Sequence, residues 1–365
     1  MKNRLLFPII FAFIFSSCSN FSGNEDEVEA SLKPAPVTKT TTTTTTTRTY
    51  YDLNGITFGN NTFVAVGDDG TVRTSSDNGS SWDNGTRGST RDLYEIAYGN
   101  STFVAVGERG THLYSRDDGA TWDNGTSETT RDLYEIAYGT STFVAVGQSG
   151  THRYSSDNGT SWSTGTWTDY DHVTGIAFGN NTFIGVSSTY LTKSTDNGSN
   201  WSRACSGVRV YDMAFGNNKF VGSGAEGAIQ ISDNGSGCAT PSGDGSRTTE
   251  KKLYGITFGN NRFLTVGSDG WLSITGDNGN NFTALTIPTG ANHLYSTAYG
   301  NNIFVAVGYK SVVVSNNDGS SNPILKENTL SFNDVTFGNG VFVAVGNDEI
   351  IYTSTDGDTW TKVYP

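Results

Sequence analysis

The chain has 365 residues, among them 45 glycines and only 7 prolines, and 12 % of the residues are aromatic while 16 % are charged. Many glycines with few prolines exclude a collagen-like or Pro-rich disordered chain, and abundant aromatic residues without long helix-forming runs predict an all-β fold. The formal net charge is −13, and because such a surface repels phosphate backbones, nucleic acid is not expected as a partner.

Residues 1–18 predict an export signal. Two basic residues precede an apolar run of 11 residues from Leu5 to Phe15, and two serines then lead to Cys18. This run is shorter than the ~20 residues of a membrane-spanning helix. The ending resembles the lipobox of bacterial lipoproteins, with Phe15 in place of the usual leucine. The resemblance implies lipidation of Cys18, and Ser19 after it implies sorting to the outer membrane, at its surface or periplasmic face. An ordinary cleaved signal with a chance cysteine is the alternative.

Residues 19–48 predict a disordered tether. They contain an acidic stretch from Glu25 to Glu29, two prolines at Pro34 and Pro36, and an unbroken threonine run from Thr40 to Thr47. None of these can bury apolar area, so we expect a coil of roughly 30 Å that holds the folded part away from the lipid.

Residues 49–365 are built from eight copies of one unit. The phrase ITFGNNTFVAVG begins at Ile56 and recurs with small changes, and its central glycines are separated by 40, 40, 40, 37, 43, 41 and 38 residues. Those glycines are Gly59, Gly99, Gly139, Gly179, Gly216, Gly259, Gly300 and Gly338. A regular period of this length is typical of a solenoid or a propeller.

Each unit predicts a small four-stranded sheet. In the second unit LYEIAYG and TFVAVG read as two strands joined by a Gly-Asn turn, HLYS reads as a third, and a short fourth can follow Trp122. Both faces of the second strand are apolar, so each sheet needs cover on both sides. Repeated four-stranded sheets that cover one another predict a β-propeller. We expect eight blades, with seven blades or a solenoid as alternatives.

A second phrase, SRDDGATW from Ser115 to Trp122, returns intact at Ser75, Ser155 and Ser194, with looser copies at Ile231, Thr275, Ser315 and Thr353. It falls between the third and fourth predicted strands, where its aspartate can accept amide hydrogens and its tryptophan can plug the blade. The phrase resembles the Asp-box of bacterial neuraminidase (sialidase-like) repeats. The resemblance assigns structural roles to Asp77, Trp82, Asp117, Trp122, Asp157, Trp162, Asp196 and Trp201.

That resemblance implies a propeller fold but leaves the chemistry open, since Asp-box propellers serve as sialidases, other glycosidases, sorting receptors and assembly factors. The Arg-Ile-Pro segment of sialidases is missing from the sequence, so no catalytic residue is assigned. Four histidines without ligand spacing predict no metal site, and no cofactor is expected. In an exported chain, Cys205 and Cys238, near the ends of neighbouring units, are a candidate disulfide.

The connections opposite the Gly-Asn turns vary most between copies and are rich in aromatic and basic residues, which anchor partners and sugars. We take them as a candidate ligand-binding rim, formed by Arg109, Trp167, Tyr170, His172, Tyr190, Trp271 and Tyr309. Trp167, Tyr170 and Trp271 are the preferred anchors, because an exposed tryptophan is costly to keep without a use. Drift on an unconstrained surface is the alternative.

The sequence therefore predicts a surface-exposed lipoprotein whose propeller binds a protein or glycan partner without turning it over. One alternative is a glycoside hydrolase or lyase that uses carboxylates of the same rim, for which two carboxyl groups about 5 to 9.5 Å apart are needed. The rim carboxylates are Asp68, Asp69, Glu108, Asp269 and Asp348. A second alternative is an assembly or stability factor for a membrane complex.

Overall fold

The computed structural model describes residues 50–84, 88–126, 129–167, 170–207, 209–233, 235, 237–240, 250–276, 279–316, 323–327 and 329–365. The predicted signal, with Cys18, and the predicted tether lie outside the described residues. The described chain forms eight antiparallel sheets, of which seven have four strands and one has three. The predicted all-β propeller is confirmed, and the number of blades is eight.

Four blades come from the first half of the chain. Blade one consists of β1 (Leu53–Gly59), β2 (Thr62–Gly67), β3 (Val72–Ser75) and β4 (Asp83–Asn84). Blade two consists of β5 (Leu93–Gly99), β6 (Thr102–Gly107), β7 (His112–Ser115) and β8 (Asp123–Asn124). Blade three consists of β9 (Leu133–Gly139), β10 (Thr142–Gly147), β11 (His152–Ser155) and β12 (Ser163–Thr164). Blade four consists of β13 (Val173–Gly179), β14 (Thr182–Ser187), β15 (Tyr190–Ser194) and β16 (Ser202–Ser206).

The other four blades follow in the same order. Blade five consists of β17 (Val210–Gly216), β18 (Lys219–Gly224) and β19 (Ile229–Asp233). Blade six consists of β20 (Leu253–Gly259), β21 (Arg262–Gly267), β22 (Leu272–Thr275) and β23 (Phe282–Ala284). Blade seven consists of β24 (Leu294–Gly300), β25 (Ile303–Gly308), β26 (Ser311–Asn316) and β27 (Ile324–Glu327). Blade eight consists of β28 (Phe332–Gly338), β29 (Val341–Gly346), β30 (Ile351–Ser354) and β31 (Thr361–Tyr364).

The antiparallel order of the strands gives the ring two different faces. The turns between first and second strands and the box phrases between third and fourth strands lie on one face, which we call the box face. The turns between second and third strands and the connections between blades lie on the other, the loop face. Six of the turns on the loop face are short 3₁₀ turns, namely Asp68–Gly70, Glu108–Gly110, Gln148–Gly150, Ala225–Gly227, Ser268–Gly270 and Asn347–Glu349.

The core lies between neighbouring blades. Every residue of β2, β6 and β10 is buried, as the two apolar faces of these strands predicted. At the joint between blades one and two, Val64 and Val66 of β2 pack against Leu93 and Phe103 of the next blade. Because each apolar sheet face is covered only by its neighbour, an isolated blade would leave this surface in water, and the blades stabilise one another as a ring.

The central glycine of the repeated phrase is explained by contacts between blades. A Cβ atom at Gly59 would lie 2.1 Å from Cγ of Tyr98 in blade two, and one at Gly338 would lie 2.2 Å from Cγ of Phe58 in blade one. The other six central glycines face an aromatic ring of the following blade in the same way. The glycine therefore leaves room for the ring next to it, and the series runs around the propeller until blade eight meets blade one.

A buried ion pair joins the two ends of the ring. Nη2 of Arg73 in β3 lies 2.8 Å from Oε2 of Glu349, and the two side chains are 8 % and 1 % exposed. The other carboxylate oxygen of Glu349 accepts a hydrogen bond from the amide of Tyr51, at 3.3 Å. Glu349 has a left-handed backbone with φ of 58°, and glycine holds this position in the other five 3₁₀ turns.

The box phrases form the staples that the sequence predicted. In the first, Oδ1 of Asp77 accepts hydrogen bonds from the Ser75 hydroxyl and the Ser81 amide, at 2.8 and 2.9 Å. The indole of Trp82 donates to the Gly79 carbonyl at 3.2 Å. Bonds from the hydroxyl and amide of Ser81 hold the pKa of Asp77 below its usual value. The four intact boxes repeat this pattern, so their aspartates serve the turn.

Blade five departs from the pattern. Its sheet has three strands among the described residues, and Ile231 forms an isolated bridge with Ala239 where a fourth strand lies in the other blades. Cys238, next to that bridge, is joined by a disulfide to Cys205 in β16 of blade four. The disulfide ties the irregular outer edge of blade five to its neighbour.

Candidate functional site

Side chains just before the first strand of a blade, which we call its inner strand, connect the blades on the loop face. Oδ1 of Asp92 accepts the amide hydrogen of Asp69 in the previous blade at 2.9 Å, and Asp132 accepts that of Arg109 at 2.8 Å. His172 and His293 stand at the same place, where Nδ1 accepts the amide hydrogens of Ser149 and Asp269, at 3.1 and 3.0 Å. His172, predicted as a ligand residue, is thus a neutral hydrogen-bond acceptor between blades, and burial lowers its pKa.

The prediction that Trp167 and Trp271 are exposed is wrong. Both are half-buried, Trp167 against the core at the joint of blades three and four and Trp271 against that of blades five and six. Their indole nitrogens are buried without a hydrogen-bond partner among the described residues. Tyr190 is also buried, 3 % exposed, with its ring 5.5 Å from that of Trp167. The sequence could not reveal that these rings fold inward, because their packing partners come from other repeats.

Four of the predicted rim residues are exposed, namely Arg109, Tyr170, His172 and Tyr309. Tyr170 is 76 % exposed and Tyr309 is 44 % exposed. The side chain of Arg109 is 65 % exposed, and its Nε lies 3.3 Å from Oε1 of Glu108. Tyr170 and Arg109 lie on the same side of the loop face, whereas Tyr309 follows β25 in blade seven. The structure therefore divides the predicted rim into a buried set and an exposed set.

A groove runs over the joints of blades two, three and four on the loop face. It consists of a cavity of about 810 Å³ that Arg91 and Arg109 line and a cavity of about 210 Å³ that Arg131 and Trp167 line. Thr129 lines both, so the two cavities adjoin. Tyr170 lies in the second cavity. Among the residues that the structure describes, no Asp or Glu side chain lines either cavity.

Two equivalent histidines lie beneath the groove. Nδ1 of His112 faces the Gly110 carbonyl at 3.1 Å and that of His152 faces the Gly150 carbonyl at 2.9 Å. A carbonyl only accepts, so Nδ1 carries the proton in both rings. Burial lowers the pKa of both histidines, in His152 to about 4. The neighbouring Arg153 also lowers that of His112. Both rings are therefore neutral at pH 7.

Four carboxyl groups that the sequence analysis missed lie around the axis of the ring. They are the third residues of four inner strands, Glu95, Glu135, Asp212 and Asp334. Glycine or serine occupies the equivalent place in the other four blades. Aligning the repeats on this position is the signal that would have found them.

Backbone amides donate hydrogen bonds to these carboxyl groups, but burial disfavours their charged form. Oδ2 of Asp334 accepts the amide hydrogen of Ile56 across the joint that closes the ring, at 2.9 Å, and Asp212 accepts that of Ile256 at 3.0 Å. Burial outweighs these bonds and raises the pKa of Asp334 to about 6. Burial, and then the neighbouring carboxylates, raise the pKa of Glu95. The charge of the four carboxyl groups therefore depends on packing that only the closed ring provides.

Tyrosines that were also missed surround the loop-face end of the axis. On one side the rings of Tyr94 and Tyr134 are 6.4 Å apart, and on the other those of Tyr254 and Tyr295 are 5.9 Å apart. Each is the second residue of an inner strand and is half-buried.

The carboxylates proposed for the hydrolase alternative are distributed over several blades. Asp68 and Asp69 lie in blade one, Glu108 in blade two, Asp269 in blade six and Asp348 in blade eight. Lys251 forms an ion pair with Asp269, and it lowers the pKa of that carboxyl group. In the described part of the chain, no three His, Cys, Asp or Glu side chains are placed to hold a metal ion. No helix among the described residues is long and apolar enough to cross a membrane.

Comparison with known proteins supports the fold alone. The sequence matches no protein-family model and no curated protein. The computationally designed Ika8 protein is similar with a TM-score of 0.68 at 14 % identity, over 83 % of this chain and 96 % of that one. A structure of YCF48 bound to D1 peptide is similar with a TM-score of 0.56 at 17 % identity, over 71 % of this chain and 91 % of that one.

YCF48 from Cyanidioschyzon merolae is similar with a TM-score of 0.56 at 14 % identity, over 85 % of this chain and 97 % of that one. Identities this low carry no activity or ligand from one protein to another. The class is nonetheless defined, because eight sheets, each built from one contiguous segment, close a ring with two distinct faces. The chain is an eight-bladed β-propeller protein.

Proposed function

We propose that this protein is a lipid-anchored, non-catalytic binding module of the outer membrane. Cys18 carries the lipid, residues 19–48 form the tether, and the loop face binds a protein or glycan partner. The fold is compatible with such a role, and one of the similar propellers is seen with a bound peptide. The likeness of the box phrases to Asp-box repeats agrees with this class of protein.

One observation carries the choice of face. The box face repeats the same turns and staples in blade after blade, and its polar side chains bond to neighbouring blades, as Asn60 does to Asp118 at 2.8 Å. On the loop face six turns share one backbone form, but their side chains and the connections between blades differ from blade to blade. This face also holds the groove with the exposed Tyr170. Binding residues concentrate on variable loops that a rigid scaffold presents, whereas repeated turns serve the scaffold.

Photocrosslinking of the full chain in its own membrane tests this function. A photoreactive residue in place of Tyr170 should crosslink to a defined partner, whereas one in place of Asn261, on the box face, should not. The same crosslinked species from both positions would contradict the choice of face. Release of shortened products from any bound glycan would contradict the non-catalytic role.

The anchor is tested separately. Cys18→Ser should move the protein from the membrane fraction to the soluble fraction, because several acyl chains are needed for stable anchoring. A variant that stays in the membrane fraction would refute lipidation at this residue.

A further inference from the structure

Two arginines of the groove are held in the same way, one repeat apart. Nη1 of Arg91 donates to the Arg109 carbonyl at 3.5 Å, and Nη1 of Arg131 donates to the Ser149 carbonyl at 2.9 Å. Both acceptors belong to left-handed residues of the 3₁₀ turns. Since both side chains are exposed, each guanidinium group keeps further N–H donors for a ligand while its position is set in advance.

The described lining of the groove is basic, although the chain as a whole is acidic. The chain carries −13, yet the described lining of both cavities holds arginines and no carboxylate. The buried Arg153 also lines the second cavity, and Nη2 of its guanidinium group donates to the Trp162 carbonyl at 2.9 Å. In the pair between Arg109 and Glu108 the guanidinium group is 65 % exposed and the carboxylate half-buried, so solvent screens the pair and leaves Arg109 able to bind.

The far end of the groove is aromatic. Trp167 presents part of its ring there, and Tyr170 beside it is the most exposed of the large hydrophobic residues that the structure describes. Threonines also line both cavities, including the shared Thr129. Their hydroxyl groups both donate and accept, which suits the amide and carbonyl groups of a peptide backbone.

We propose that the groove binds an extended acidic polypeptide segment of a protein partner. Its carboxylates bind Arg91, Arg109 and Arg131, and an aromatic or apolar side chain next to them packs against Trp167 and Tyr170. Alternate residues of an extended chain are about 7 Å apart and face the same way, so several carboxylates can reach the arginines at once. The proposal rests on the proposed function, because it takes the loop face as the binding face.

The test uses the full chain in detergent and a fluorescein-labelled nine-residue peptide with three alternating glutamates followed by a tyrosine. The peptide should bind, and its affinity should fall as the salt concentration rises. A peptide with glutamine in place of glutamate should bind at least tenfold more weakly, because each lost charge-assisted hydrogen bond is worth about tenfold or more in affinity. Arg91→Ala with Arg131→Ala should produce a similar loss. Arg116→Ala with Lys362→Ala removes the same charge elsewhere and should leave affinity within about twofold.

Equal binding of the glutamate and glutamine peptides, or unchanged affinity in the Arg91 and Arg131 variant, would overturn the proposal. So would an oligogalacturonate that binds through these arginines when the peptide does not, because the ligand would then be a carboxylated glycan. If the glutamate peptide fails while Tyr170 still crosslinks to a partner, the ligand class is wrong and the binding function stands. If the peptide binds while crosslinks map only to the box face, the groove accepts an acidic peptide but the partner does not use it, and the proposed binding face is wrong.

Discussion

The pair that closes the ring gives a prediction in which two effects oppose each other. Glu349 stands in a left-handed turn where five equivalent turns have glycine, so the repeat pattern alone suggests that Glu349→Gly stabilises the protein. Relief of the left-handed backbone is worth about 1–2 kcal/mol. However, the change leaves the guanidinium group of Arg73, 8 % exposed, without its carboxylate. Breaking a buried pair in this way costs about 3–5 kcal/mol.

We therefore expect Glu349→Gly to lower the free energy of unfolding by about 2–3 kcal/mol. In guanidinium chloride this corresponds to a midpoint shift of roughly 0.5 M. Unfolding is followed by tryptophan fluorescence. A variant at least as stable as the wild type would refute the reasoning, because the ion pair would then contribute less than the turn costs.

A double variant separates the two effects. Arg73→Leu with Glu349→Gly restores the combination of Leu113 and Gly70 that blades two and one already use at their joint. A buried pair replaced by apolar residues is often neutral or stabilising, so the double variant should recover most of the loss. The double-mutant cycle then gives the coupling energy between the two side chains. Additive losses would mean that the pair does not interact as described.

Three further predictions concern stability. Gly139→Ala places a Cβ 2.2 Å from the Phe178 ring and should cost about 1–3 kcal/mol in urea unfolding. Among the described residues a Cβ at Gly276 meets only the flexible end of Arg262, so Gly276→Ala should be near neutral. The pKa of His152 falls from 6.5 to about 4 in the folded state, so the fold favours the neutral ring. The stability that this gives above pH 6.5 should fall by about 3 kcal/mol as the pH drops toward 4. His152→Gln should lose that share of the pH dependence. The Cys205–Cys238 disulfide closes a loop of 33 residues, and its reduction should lower the free energy of unfolding by about 3–4 kcal/mol, from the chain entropy of such a loop. An unchanged melting temperature with dithiothreitol would contradict this.

Much of the fold is determined by the repeated sequence, because its signals are local. The two apolar faces of TFVAVG, the Gly-Asn turns and the box phrase each specify a strand or turn within one unit, and eight copies of that unit specify the number of blades. The staple around Asp77 and Trp82 could also be predicted, because all its hydrogen bonds lie within eight residues. The role of the central glycine could not, because the ring that excludes a Cβ there belongs to the next blade.

Only the tertiary structure decided which of the variable aromatic residues stay exposed. Trp167 and Tyr190 looked like Tyr170 in the sequence, but the first two pack into a joint between blades and the third stays 76 % exposed. The pair of Arg73 and Glu349, separated by 276 residues, and the carboxyl groups around the axis arise only when the ring closes. The local sequence pattern determines the strands and turns of each blade. Contacts between residues far apart in the chain fix what the faces present, and a single unaligned sequence carries no direct signal of those contacts.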